Sequence, residues 1–154
     1  MPRWSDLQDS EFFGFFGVHE TGRDGRTVRL QTGGFQEHIH LEADLGADDL
    51  RRFTLRMTRA WVDGAGAPFA KDIAKSFVVT LDESEQAVDL ARRLWELESG
   101  NVVYFGDPPP PLPPAAPAVA DALAAYQGRR PSAALGSFTI ENRDGEVHIT
   151  WLPR

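Results

Sequence analysis

The stretch from Ser76 to Phe105 constrains the fold more than any other part of the chain. It opens with the apolar run Phe77-Val78-Val79-Thr80-Leu81 and closes with Asn101-Val102-Val103-Tyr104-Phe105. Both runs are short and rich in β-branched and aromatic residues, which predicts strands. Between them Ala87, Leu90, Ala91, Leu94 and Leu97 recur at spacings of three and four, the period of a helix with one apolar face. Asp82 and Glu85 have the spacing of a capping box, and Gly100 can close the helix in a left-handed conformation. The expectation is strand, helix, strand, with a main helix over 84–98. If both strands enter one sheet, they run parallel and join right-handedly.

The other segments read mostly as hairpins. Residues 1–10 are polar apart from Trp4 and Leu7 and read as a short N-terminal arm or a single helical turn. Phe12, Phe13, Phe15 and Phe16 place four of the ten phenylalanines within five positions. That cluster, a turn over 22–25, and the alternating Thr27–Thr32 predict a hairpin. Residues 37–45 alternate for nine positions, with Ile39, Leu41, Ala43 and Leu45 on one face, the clearest strand pattern in the chain. Residues 49–62 fit either a strand or a helix; the strand is preferred because a helix would expose Leu55 and hold two threonines in its interior. The proline-rich stretch 106–114 predicts an extended connector. A second main helix, alanine-rich, follows over 115–127, and 131–136 is a connection. The chain ends in a hairpin around Asn142-Arg143-Asp144-Gly145. The fold class is therefore α+β: a single domain over 1–154 with a largely antiparallel sheet of about seven or eight short strands packed by two main helices.

Composition narrows the function classes. A chain of 154 residues buries about two-thirds of its unfolded surface, enough for a core without staples. Zero cysteines exclude disulfide-linked partners, thiolate metal sites and cysteine nucleophiles, and suit a reducing cytoplasm. Neither a membrane-length apolar run nor a signal-peptide layout occurs, so a cytoplasmic location is expected. A net charge of −7 argues against nucleic acid, which attracts basic surfaces. Only Lys71 and Lys75 of the sixteen cations are lysines, an imprint of a GC-rich, bacterial genome.

Few residues suggest chemistry. His38, His40 and Glu42 project from the polar side of the clearest strand, and His148 lies on the polar side of the last one. Two or three imidazoles and a carboxylate are the ligand types of a zinc or non-haem iron site. The spacing departs from the cupin motif, because Glu42 follows His40 too soon and no second motif surrounds His148. A decorated, solvated strand face explains the same residues without metal. No Gly-x-Ser-x-Gly elbow and no phosphate-cradling loop occurs. Trp61, Trp95, Tyr104 and Trp151 could line a ligand pocket under the sheet, or simply belong to its core.

These features favour a non-catalytic protein-binding domain over an enzyme, with no cofactor. Phe12, Phe13, Phe15 and Phe16 are its candidate contact residues, since a strand carrying them would show large rings on both faces. The partner would be another protein or a second copy of the chain. Size and acidity liken it to immunity proteins and secretion chaperones. The alternative is a small metal-dependent enzyme or ligand-binding domain using His38 and His40.

Overall fold

Alternation builds the sheet. In the computed structural model, which describes residues 3–98 and 112–153, the elements are α1 (Trp4–Gln8), α2 (Glu11–Phe16), β1 (His19–Asp24), β2 (Thr27–Gln31), β3 (Ile39–Gly46), β4 (Asp49–Thr58), α3 (Arg59–Val62), α4 (Ala67–Leu81), α5 (Glu85–Glu98), α6 (Pro117–Tyr126), β5 (Ser132–Leu135), β6 (Phe138–Arg143) and β7 (Glu146–Trp151). The seven strands form one sheet in the order β1-β2-β3-β4-β7-β6-β5, and every pair is antiparallel. The first four strands meander. The chain then leaves through α3–α6, re-enters at the far edge as β5, and walks back through β6 until β7 pairs with β4.

Period-two alternation gives this sheet two different faces. Val28, Ala43, Phe53, Trp151, Phe138 and Leu135 lie on one cross-strand row of the inner face, and all are buried. The helices cover that face. Phe77 of α4 sets its ring against Phe53 of β4 at 5.2 Å, Phe12 of α2 at 6.0 Å and Phe138 of β6 at 6.3 Å. Edge-to-face and tilted rings of this kind add to the burial of their area. No helix packs on the opposite face among the described residues, so its threonines, arginines, carboxylates and histidines remain a polar surface.

The structure corrects three expectations. Phe77–Leu81 is the last turn and a half of α4, not a strand. Ala70, Ile73, Ala74, Phe77, Val78 and Leu81 are all buried and fall at helical spacing, and that longer pattern outweighs the β-propensity of Val78, Val79 and Thr80. The anticipated parallel crossover therefore does not form; its second strand, 101–105, lies outside the described residues, as do Gly100 and most of the 106–114 connector. Phe12–Phe16 is helical as well. Ser10 caps α2 by accepting the Phe13 N–H, and Phe12, Phe13 and Phe16 share the buried side. The first hairpin strand is instead His19–Asp24, paired with β2.

Smaller differences have local causes. The preferred strand over 49–62 forms as far as Thr58, then turns into α3, which buries Trp61 and Val62. Of the two readings of the N-terminal segment, the short helix forms, as α1: the Trp4 N–H donates to Asp48 O at 2.7 Å, and Trp4 and Leu7 are buried. Residues 132–135, expected as connection, pair with β6 as the edge strand β5. Ser84 caps α5, its Oγ accepting from Ala87 N at 3.3 Å, while Asp82 accepts from Ser84 N and from Ser137 Oγ at 2.8 and 2.6 Å. The last hairpin forms as expected, with Asp144 and Gly145 both at positive φ (54° and 74°), the mirror-image turn that matches strand twist.

Candidate functional site

The polar face of the sheet collects most of the chemistry-bearing residues that the sequence singled out. Register fixes their order. His40 of β3 lies opposite Arg56 of β4, Arg56 opposite His148 of β7, and His148 opposite Glu141 of β6. One step along the strands, Arg29, Glu42, Thr54, Thr150 and Thr139 form the adjacent row. His40 and His148 thus share a face and a row, but two strand spacings, about 10 Å, separate their backbones and a guanidinium stands between them. His38 is elsewhere. It precedes β3, stacks on Trp61 (5.2 Å between centroids, 10° between planes), and lies 3.3 Å from Thr58 Oγ1 through Nδ1. Among the described residues no group of three or more His, Asp or Glu side chains is placed to hold a metal ion.

His148 is the unusual member of this face. It is 5% exposed in the middle of the sheet, and neither Nδ1 nor Nε2 makes a hydrogen bond to a protein group. Nε2 lies 3.4 Å from Glu146 Oε1, close enough for charge attraction but outside hydrogen-bond geometry. Burial is the main influence that lowers the His148 pKa; the Arg143 and Arg56 guanidiniums act in the same direction, and the Glu146 and Glu141 carboxylates partly oppose them. The ring is therefore held neutral at pH 7, one nitrogen a donor and the other an acceptor. Above it lies an open groove of about 320 Å³ lined by Glu42, Arg52, Thr54, Arg56, Arg143, Asp144, Glu146 and His148. Only Glu42 and His148 among these were singled out from sequence, although the alternation of Arg52, Thr54 and Arg56 along β4 already placed them on one face.

A second feature lies on the helical side. Of the four clustered phenylalanines, Phe12, Phe13 and Phe16 are buried against Trp4, Phe53, Phe69 and Phe77. Phe15 is 75% exposed. It stands at an apolar groove of about 630 Å³ between α2 and α4, whose walls include Phe12, Phe16, Val79 and Thr80 and whose rim carries Glu11 and Asp72. A strand over 77–81, as the sequence alone predicts, does not place Val79 and Thr80 there.

The tryptophans do not converge. Trp61 packs against Phe35, Phe69 and His38, Trp151 belongs to the inner row of the sheet, and Trp95 is half-exposed on α5 with the Lys75 ammonium 3.9 Å above its ring. Tyr104 lies outside the described residues. No family model, no curated protein and no solved structure matches this chain, so the side chains themselves carry the functional reading.

Proposed function

We propose that this chain is a non-catalytic, cytoplasmic bacterial protein-binding domain that docks a basic, amphipathic segment of another protein on the α2–α4 surface, anchored by Phe15. The observation that carries the reading is the exposure of Phe15 beside an apolar groove, when its three neighbouring phenylalanines are buried. Covering a ring of this size is worth about 1.5–3 kcal/mol, and aromatic anchors set in grooves dominate many interfaces. Charge selects the partner. The segment Trp4–Phe16 holds Asp6, Asp9 and Glu11 and no cation, on a chain of net charge −7. Asp72 on the far wall is paired with Lys75 at 3.2 Å, so the acidic potential comes mainly from the α1–α2 side. A cationic segment with an apolar stripe complements both properties, and steering by opposite charge would speed its arrival. The alternative of a metal-dependent domain on His38 and His40 is the weaker one, because His38 stacks on Trp61 and the strand register sets Arg56 beside His40.

A photo-activatable benzoylphenylalanine at position 15, with the same residue at exposed Val88 of α5 as control, tests the reading in cells. The expected result is one adduct specific to position 15, mapped to a basic segment of another protein. The purified pair should then lose about tenfold or more in affinity with Phe15→Ala, and binding should weaken with salt. Adducts only to a second copy, together with a dimer in light scattering that Phe15→Asp dissolves, would replace this reading with a homodimer. Identical adducts at positions 15 and 88 would refute it.

A further inference from the structure

We infer that the partner segment docks as a short helix whose apolar stripe spans from Phe15 to a second aromatic anchor, Phe35. The inference rests on the α2–α4 surface proposed above and adds to it the partner's conformation and a second contact. Phe35 is 46% exposed. Phe69 links it to the groove: its ring lies 4.6 Å from Phe35 and 5.8 Å from Phe16, which in turn lies 4.8 Å from Phe15. These steps put the two exposed rings at most about 15 Å apart, the rise of about ten helical residues. Phe69, Asp72, Ser76 and Val79 recur at spacings of three and four along α4, so Phe69 continues the floor that the other three give the groove.

Backbone geometry marks Phe35 out. Its φ is 56°, a left-handed conformation that a bulky side chain rarely adopts, whereas Gly33 and Gly34 before it, which could adopt it freely, do not. Strain of this kind persists only where the surroundings fix it. Here the Gly33 N–H donates to Phe16 O at 2.9 Å, and Phe35 O accepts from His38 N and Ile39 N at 2.9 and 3.1 Å. The ring is thus presented on a fixed loop, ordered before any partner arrives, which lowers the cost of binding. Charge continues along the same line. Glu37, the one charged residue in 31–37, is exposed two residues beyond Phe35, and Glu11 stands on the groove rim near Phe15, so acidic groups flank both anchors. The helical conformation follows from the floor. Backbone groups in the middle of α4 are bonded within that helix and offer nothing to an extended chain, whereas a helical segment satisfies its own.

The test places benzoylphenylalanine at position 35 and, separately, at position 15, with position 88 again as control. Adducts from both positions to one segment of one protein are expected, no more than about ten residues apart and on one face of a helix. A synthetic peptide of the segment caught at position 15 is then the probe. In fluorescence anisotropy its affinity should fall about tenfold with Phe35→Asn, and the peptide should gain helical circular dichroism on binding. Asparagine tolerates the left-handed backbone, so this variant removes the ring without adding strain, and its far-ultraviolet spectrum shows that the fold is kept. Glu37→Gln, a surface change, should reduce the salt dependence of binding. Adducts from position 15 with none from position 35, Phe35→Asn binding as the parent does, or a bound peptide with no gain of helix overturns this inference and leaves the Phe15 reading standing. Absence of an adduct specific to position 15 removes both.

Discussion

Phe77→Ala together with Val78→Ala and Val79→Ala tests the packing that organises this fold. Phe77 is 1% exposed and its ring joins α4 to α2, β4 and β6 through Phe12, Phe53 and Phe138. Removing it deletes three ring contacts and leaves a cavity between helix and sheet, for which about 3–5 kcal/mol is expected. At about 2–4 °C per kcal/mol for a domain of this size, the melting temperature should fall by about 6–20 °C. The valines separate helix from strand. In α4, Val78 is fully buried and Val79 only partly, so Val78→Ala should cost about 1.5–3 kcal/mol. Val79→Ala should stay within about 1 kcal/mol, since helix propensity offsets part of its lost burial. A strand would instead put Val79 on the same face as Phe77 and Leu81. Urea denaturation of the three variants, read by circular dichroism, measures the differences. A Val79→Ala loss equal to or larger than that of Val78→Ala, or a Phe77→Ala loss below about 1.5 kcal/mol, would refute the packing described here.

Three further outcomes follow from named contacts. A Cβ at Gly66 would lie 2.0 Å from a ring carbon of buried Trp61, so Gly66→Ala should destabilise by about 1–3 kcal/mol by overpacking, with the change in Trp61 environment visible in near-ultraviolet circular dichroism. Ser84→Ala removes the acceptor for Ala87 N–H at the start of α5 and should cost about 1 kcal/mol in the same denaturation assay. The pKa of His148 is lower in the fold than in the unfolded chain, so in the window below about 6.5 the unfolded state binds more protons. Stability contributed by the neutral ring is complete above that pH and is lost as pH falls toward the depressed folded value. Unfolding free energies at pH 7.5 and 5.5 should therefore fall more steeply with acid in the parent than in His148→Asn; equal slopes would contradict the assignment.

Elements with a long, regular pattern were legible before any coordinates. Ile39–Leu45, the terminal hairpin, α5 and α6 combine regular apolar spacing or alternation with turn or cap residues at their ends, and each forms within a few residues of where it was expected. Short apolar runs were not legible. Phe77–Leu81 taken alone satisfies a strand, and only the window reaching back to Ala70 reveals the helix. Phe12–Phe16 is dense enough to fit either period, and the cap at Ser10 decided it. At the candidate site, the alternation placed His40, Glu42 and His148 on polar faces, but the row on which they would meet depended on strand order.

From sequence alone, the chain specified an α+β domain with an antiparallel sheet, an acidic surface, no thiol chemistry and no local catalytic motif, because composition and side-chain period act within a few residues of each other. The tertiary structure decided what no local pattern contains. Pairing β7 with β4 rather than with β3 put Arg56 between His40 and His148, buried His148 beneath a groove rimmed by Arg52 and Arg143, and left Phe15 exposed while its neighbours filled the core. Register and strand order are set by how the whole apolar face packs, so residues far apart in sequence acquire their environment only when that face closes.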